Sequence, residues 1–212
     1  LVLHPKNPKV PTVHANWRYF EMYDKQGNTV NQWFGGGQDL TPYYLFEEDA
    51  KHFHQTCKNA CDKHNPEFYP KFKKQCDDYF WNAHRNEARG IGGLFFDHCT
   101  ASEDFTLENW YDFVTEVGNS FLKAYVPIVE KRKELAFTPE NRNWQEIRRG
   151  RYVEFNLVHD KGTLFGLKTN GRIESILMSL PPHVQWVYDH HPEAGSEEEK
   201  LIDVLENPVD WI

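Results

Sequence analysis

Long apolar segments are absent from this sequence of 212 residues. The longest apolar stretch, residues 91–96, contains two glycines and is far shorter than the about 20 residues that a helix needs to cross a bilayer. No charged segment followed by an apolar one marks a signal peptide at the N-terminus. We therefore expect a soluble protein without a transmembrane segment. Because the chain starts with Leu1 rather than methionine, we also expect that an N-terminal segment, with any targeting signal, is missing.

An excess of basic residues is also lacking. Lys and Arg number 24 against 32 Asp and Glu, and the net charge of −8 argues against generic nucleic-acid binding. The arginines are nevertheless clustered, with Arg148, Arg149 and Arg151 close together, and Arg18 and Arg172 each two residues after an asparagine. Guanidinium groups suit carboxylates, so such clusters could draw an anionic small molecule into a cleft. Solvated faces and internal ion pairs are the alternative interpretation.

Cysteines are few, and they lack the spacing of a closed metal site. The four are Cys57, Cys61, Cys76 and Cys99. Residues 54–64 read H-x2-C-x3-C-x2-H, which resembles a zinc site. On one straight helix, however, these side chains extend over about 15 Å and cannot converge on a single tetrahedral ion. We expect reduced cysteines packed in the core, as in a reducing compartment.

Common nucleotide-binding and acyl-transfer signatures are missing as well. The glycines at 35–37 are not followed by Lys and Ser or Thr, and residues 90–93 lack the third glycine of the dinucleotide motif. There is no Gly-x-Ser-x-Gly elbow, and no cysteine lies in a recognisable nucleophile motif. Nucleotide binding and acyl transfer are therefore disfavoured.

The most distinctive segment present is residues 33–44, where three consecutive glycines precede Asp39 between aromatic residues. Glycine is conformationally costly, so three together indicate left-handed torsions or a missing Cβ where a flat ligand or another backbone approaches. A flexible turn is the alternative. Pro42 predicts a rigid exit with a helix start just beyond, which would hold Asp39 in place.

The periodicity of apolar residues predicts an α+β fold, because neighbouring strands joined by tight turns indicate an antiparallel sheet with helices packed on it. The predicted strands are residues 13–24, 29–34, 94–97, 152–158, 163–169 and 173–180. The predicted helices are residues 47–64, 66–84, 106–133 with a kink at Pro127, 139–149 and a closing helix from Ser196. No linker or repeat divides the sequence, so we expect a single domain over residues 1–212.

Histidines are numerous, with 11 in the chain. A metal site is one interpretation of four of them, His4, His14, His54 and His84. Exposed or internally hydrogen-bonded histidines are the alternative that the spacing alone favours.

A collinear series of strings resembles the oxygen-dependent coproporphyrinogen III oxidase family. The strings are residues 4–8, 11–18, 33–42, 69–74, 89–93, 148–157 and 172–182, and they span nearly the whole chain. Departures at Ala15 and Asn170 remove no expected functional group. The resemblance implies a large, mostly antiparallel sheet flanked by helices on both faces. It also implies an oxidoreductase of haem biosynthesis, which converts two propionates of coproporphyrinogen III to vinyl groups and releases CO2 and H2O2.

The resemblance also implies site residues. His14, Asp39 and Arg89 are the predicted catalytic residues, with His14 as proton donor and Asp39 as acceptor for the pyrrole N–H groups. Arg89 is expected, with two other arginines of the site, to fix substrate carboxylates. The predicted substrate-binding residues are Asn16, Trp17, Arg18, Asn170, Gly171 and Arg172.

No organic cofactor is expected, and O2 is the co-substrate that the resemblance implies. A divalent metal on the four histidines named above remains open, because an electron-rich pyrrole can supply electrons without one. The resemblance further implies a homodimer with its contact around residues 152–180, and a cytoplasmic location, or a mitochondrial or plastid one. Two other functions stay as alternatives: a tetrapyrrole carrier without turnover, and a hydrolase with at least three converging histidine ligands.

Overall fold

The computed structural model describes residues 1–212 and contains six strands and seven helices, with two helices between the third and fourth strands. The strands are β1 (Val2–Leu3), β2 (Thr12–Tyr23), β3 (Thr29–Thr41), β4 (Trp81–Asn82), β5 (Glu87–Ala88) and β6 (Gly92–Cys99). The helices are α1 (Glu47–Asp62), α2 (Phe68–Tyr79), α3 (Leu107–Arg132), α4 (Pro139–Val158), α5 (Lys161–Lys168), α6 (Ile173–Leu177) and α7 (Glu197–Glu206).

The main sheet is antiparallel throughout and has the strand order β1-β2-β3-β6. In its register His14 lies opposite Asp39, which in turn lies opposite Gly93, and Arg18 lies opposite Gly35. Residues that pair across neighbouring strands project from the same face of a sheet. The predicted α+β class with an antiparallel sheet is confirmed.

One face of the sheet packs against α1, α2 and α3. Val13, Ala15, Leu40 and Phe96 are almost fully buried there in one large apolar core cluster. All four cysteines are free and buried, and burial raises the pKa of the Cys57 thiol to about 12, so it is inert at neutral pH.

The opposite face is partly covered by α4. Phe95 shares this face with Asp39, because it lies two residues after Gly93 on β6. The ring of Phe95 stacks on Tyr79, with the centroids 4.1 Å apart, and Tyr79 also contacts Phe155 of α4. Helices therefore lie on both faces of the sheet, as predicted.

The glycine-rich segment belongs to the long strand β3 and is not a loop. β3 continues through the glycines to Thr41, and none of residues 35–37 has a positive φ, so the flexible-turn and left-handed explanations are wrong. A Cβ on Gly36 would overlap the carbonyl oxygen of Asn16, and one on Gly37 would overlap that of Leu94. The close approach that the glycines allow is therefore one of strand backbone to strand backbone.

The three strands predicted within residues 152–180 are wrong, because this segment is helical. α4 continues through Gly150 to Val158, and α5 and α6 follow. Arg148, Tyr152 and Phe155 recur at helical spacing and are all buried, which outweighs the period-two pattern on which the strand prediction relied. The predicted turn at residues 160–162 is instead a helix start, since the Asp160 side chain accepts a hydrogen bond from the Thr163 N–H.

The other predicted helices are present with altered ends. α3 begins with a capping box between Thr106 and Asn109 and contains Pro127 in its interior. α2 ends at Tyr79 rather than at residue 84, and a short ribbon of β4 and β5 replaces its predicted last turn. None of the helices combines the length and apolar character that a membrane crossing requires.

Candidate active site

The three predicted catalytic residues meet on the sheet face that α4 partly covers. His14 Nδ1 lies 2.8 Å from Asp39 Oδ1, and the Arg89 guanidinium binds Asp39 Oδ2. Asp39 and Arg89 are each 3% exposed, whereas the His14 side chain is 25% exposed. The cluster thus has a buried ion pair behind one accessible imidazole.

The charge of Asp39 defines the hydrogen bonding of His14. Burial raises the pKa of Asp39, but the Arg89 charge and the His14 hydrogen bond outweigh burial and hold this pKa below its ordinary value. An ionised carboxylate only accepts hydrogen bonds, so His14 Nδ1 must be the donor. His14 Nε2 makes no hydrogen bond within the chain and remains available to exchange protons.

Arg89 is held between aromatic rings. The centre of its guanidinium lies 3.8 Å from the ring centroid of Phe80, 5.0 Å from Tyr152 and 5.1 Å from Phe155. Such stacking favours a charged guanidinium and excludes water from it. Because Arg89 is buried and bound to Asp39, it is not placed to fix a substrate carboxylate, and that part of the prediction is revised.

A second ion pair lies two rows further along the same face. Arg18 Nη2 is 2.8 Å from Asp97 Oδ1, and Arg18 Nη1 donates to Asn16 Oδ1 over 3.0 Å. A Cβ on Gly35 would be 2.7 Å from both Arg18 Nη2 and Asp97 Oδ1, so the missing side chain leaves room for this pair.

Gly35 and Gly37 of β3 leave a strip of this sheet face without side chains, which is called the trough below. Asn16 and Arg18 on β2 border it on one side, and Phe95 and Asp97 on β6 border it on the other. Adjacent strands are about 4.8 Å apart, so the backbones of the two borders are about 10 Å apart. The Arg18–Asp97 ion pair crosses this gap above Gly35. The cluster of His14 and Asp39 closes one end of the trough. This shape and charge suit a flat ligand that carries carboxylates.

Comparison with known proteins supports one family. A family model described as coproporphyrinogen III oxidase matches residues 1–211. The chain belongs to the coproporphyrinogen III oxidase family. It is 59% identical over its whole length to coproporphyrinogen-III oxidase 1, chloroplastic, of Arabidopsis thaliana, of which it covers 55%. It is 56% identical to the oxygen-dependent coproporphyrinogen-III oxidases of Drosophila melanogaster and Francisella philomiragia, of which it covers 53% and 67%. The chain thus spans about half the length of the curated relatives from Arabidopsis and Drosophila.

Not all substrate-binding residues predicted for this coproporphyrinogen III oxidase family member reach the trough. Trp17 lies on the opposite face, where its ring packs against Phe121 of α3 with the centroids 5.8 Å apart. Residues 170–172 form the turn between α5 and α6. The Gly171 N–H donates to Gly166, and Arg172 pairs only with Glu174 over 3.7 Å, in the open. Within this chain, these residues do not join Arg18.

The histidines proposed as metal ligands have separate environments in this family member. His4 contacts Thr12 and the Ser179 carbonyl, and the fully buried His54 contacts Tyr69 and the Ile91 carbonyl. The partners of His84 are Glu154 and His159. No three His, Cys, Asp or Glu side chains in residues 1–212 are arranged to hold a metal ion. The four histidines therefore do not form the predicted ligand set, and a hydrolase built on them has no site here.

One acidic residue of the site, Asp97, was not predicted. Its side chain is 32% exposed and lies directly across the trough from Arg18. The sequence does carry a signal for it: on a strand, residues 93, 95 and 97 share a face, and Gly93 lies beside Asp39. The alternation alone does not tell which strand lies beside β6. The pairing of β6 with β3 is what places Asp97 next to the glycines of β3.

Proposed function

We propose that this chain carries the substrate site of an oxygen-dependent coproporphyrinogen III oxidase, and that in the whole protein it converts coproporphyrinogen III to protoporphyrinogen IX. The observation that carries the proposal is the meeting of His14, Asp39 and Arg89 at the end of a glycine-floored trough with an accessible arginine. A carrier without turnover shares the trough but gives no reason for an imidazole oriented by a buried carboxylate.

Substrate binding on this face follows from shape and charge. The flat pyrrole rings lie over the glycine floor, and the propionates meet Arg18 at its border. Arg18 uses one hydrogen bond to Asn16 and one ion pair to Asp97, so other guanidinium N–H groups remain for a substrate carboxylate. Arg172 is a further predicted carboxylate partner, and its exposed turn would have to approach the trough in the whole protein.

Each oxidative decarboxylation takes up one proton. A propionate side chain R–CH2–CH2–COO⁻ reacts with O2 and H⁺ to give R–CH=CH2, CO2 and H2O2. Because the pyrrole is electron-rich, two electrons pass from the substrate to O2. The peroxide that forms then removes the β-hydrogen of the propionate, and CO2 leaves. No organic cofactor is needed for this balance. His14 Nε2 is the group placed to supply the proton, and the Asp39 carboxylate orients the ring through its bond to Nδ1.

The role of Asp39 is therefore proposed to differ from the sequence-based hypothesis. One of its oxygens is bound to His14 and the other to Arg89, and the residue is almost fully buried. Because Asp39 is only 3% exposed, a ligand on this face has little access to either oxygen. Asp39 instead positions the proton donor, while Arg89 keeps Asp39 ionised.

Assembly and location are also proposed. A homodimer contact around residues 152–180 agrees with large apolar side chains that this helical region exposes, among them Phe165 and Met178. A cytoplasmic location is retained as a prediction. The chloroplastic name of the Arabidopsis relative favours the plastid alternative in some members of the family.

The proposed function is tested by incubating the chain with coproporphyrinogen III with and without O2 and measuring vinyl products by chromatography. Vinyl formation only in the presence of O2 supports the oxidase. Tight binding without product in either condition would favour the carrier.

A further inference from the structure

The turn of residues 89–93 joins the ribbon of β4 and β5 to β6 and brings Arg89 to Asp39. Three residues of this turn are glycine, so the turn has little rigidity of its own. A Cβ on Gly90 would overlap the Leu40 carbonyl oxygen, so the turn lies directly on the backbone of β3. Because Arg89 and Asp39 are both buried, a small displacement of the turn would separate their charges. Contacts from outside the turn must therefore fix its position.

Ile91, in the middle of the turn, has both of its backbone polar groups fixed. Its N–H donates to the Leu40 carbonyl over 3.0 Å. Its carbonyl oxygen accepts two hydrogen bonds, one from His54 Nε2 over 2.9 Å and one from Trp211 Nε1 over 3.2 Å. Both donors belong to buried side chains from other parts of the chain.

Trp211 lies in the segment that follows α7, residues 207–212, which contains no helix or strand. The segment is held on α2 by Lys73, whose Nζ lies 3.0 Å from Asp210 Oδ1. α7 itself packs beside β5, which ends directly before Arg89. α7 and the segment after it therefore contact the chain on both sides of Arg89.

We propose that Trp211 is a positioning residue for the ion pair of Arg89 and Asp39, and through this pair for the proton donor of the site. The inference rests on the proposed function, which assigns the pair to the oxidase reaction. By holding the Ile91 carbonyl, Trp211 keeps the turn, and with it Arg89, in place. The indole lies beside His54 in the core, with the ring centroids 6.5 Å apart, and acts on the pair only through the turn.

The test compares Trp211→Phe with Trp110→Phe. Trp211→Phe keeps an aromatic ring in the core and removes the N–H that binds Ile91. Trp110 is the matched control, because it is 8% exposed like Trp211 and its Nε1 also donates to a backbone carbonyl, that of Thr100, over 2.8 Å. Each variant loses one hydrogen bond to a carbonyl, so a general loss of stability affects both alike.

The first readout is the titration of the Asp39 carboxyl group, followed by carbon NMR of the folded chain. Burial raises the pKa of Asp39, but the Arg89 charge and the His14 hydrogen bond hold it below its ordinary value. In Trp211→Phe the turn loses one of its hydrogen bonds and holds Arg89 less firmly, so this pKa should rise. Trp110→Phe should leave it unchanged. An Asp39 pKa that stays the same in Trp211→Phe, or that rises equally in both variants, overturns the inference.

The second readout is the rate of vinyl formation from coproporphyrinogen III. Trp211→Phe should lower kcat about 3- to 10-fold, the equivalent of one hydrogen bond, because the proton donor is held less firmly. KM should be unchanged, because Arg18 is held by Asn16 and Asp97 and not by the turn. A higher KM with an unchanged kcat would contradict a positioning role.

Hydrogen exchange of the unmodified chain decides the question if Trp211→Phe does not fold. The Trp211 Nε1–H and the Ile91 N–H should then exchange through the same opening, with the same dependence on urea. An Ile91 N–H that stays protected while the Trp211 Nε1–H exchanges would contradict the inference.

Failure of the two proposals can be told apart. An unmodified chain that forms no vinyl product with O2 contradicts the proposed function. The titration of Asp39 needs no turnover, so an unchanged titration in Trp211→Phe contradicts the role of Trp211 alone.

Discussion

Removing the charge of Asp39 is the perturbation for which the structure gives the clearest magnitude. In Asp39→Asn the guanidinium of Arg89 keeps its charge, stays buried among three aromatic rings and loses its only ionic partner. Breaking a buried pair in this way costs about 3–5 kcal/mol. Small domains have about 5–15 kcal/mol of total stability, so this variant should remain folded but be much less stable.

The assay is urea denaturation followed by tryptophan fluorescence. Asp39→Asn should lower the free energy of unfolding by about 3–5 kcal/mol. The double variant Asp39→Asn with Arg89→Met should recover part of that loss, since it removes the orphaned charge and leaves an apolar side chain among the rings. A single variant as stable as the unmodified chain, or a double variant that is less stable by the full sum of both single changes, would refute the reasoning about the buried pair.

Three further predictions concern other parts of the chain. Gly37→Ala should lower stability by about 1–3 kcal/mol in urea denaturation, because its Cβ would overlap a neighbouring strand, whereas Gly118→Ala, whose Cβ would lie 3.7 Å from the nearest ring, should not. Burial raises the pKa of Glu154, but hydrogen bonds led by that from Arg85 lower it overall from 4.5 to about 2. The stabilisation that these hydrogen bonds to ionised Glu154 give the folded chain is therefore present above about pH 4.5. This stabilisation should disappear as the pH falls towards 2, and it should be missing in Glu154→Gln. The free energy of unfolding, measured at several pH values for both chains, checks this. The same pH dependence in Glu154→Gln and the unmodified chain would contradict the prediction. Phe165→Glu should convert a dimer to a monomer in light scattering if the proposed contact is right, because Phe165 is 69% exposed.

Local signals in the sequence were sufficient for much of the fold. A start signal at residues 106–109 predicted where α3 begins, and the aromatic-rich segment 13–24, bounded by a turn, predicted β2, because capping and strand patterns depend on near neighbours. The strand prediction for residues 152–158 was wrong for the opposite reason. Their pattern satisfies both a strand and one side of a helix, and only packing of Tyr152 and Phe155 around Arg89 decides between them.

The residues of the candidate site could be named from the sequence, but their geometry could not. His14, Asp39 and Arg89 could be named from the sequence strings, yet their roles depend on which atoms meet. The pairing of His14 with Asp39 follows from the register of β2 and β3, and the burial of Arg89 follows from α4. Asp97 entered the site only through the pairing of β6 with β3. Long-range pairing of this kind has no local sequence signal.

The central claim is that a tetrapyrrole bound in the trough gives its electrons directly to O2, with His14 supplying the proton. The most direct measurement is the O2 consumed, and the CO2 and H2O2 released, per vinyl group formed from coproporphyrinogen III. We predict equal amounts of all four, at a rate that falls at least 100-fold in His14→Ala because the proton donor is lost. Vinyl formation without O2 uptake, or O2 uptake at the unmodified rate in His14→Ala, would contradict the account.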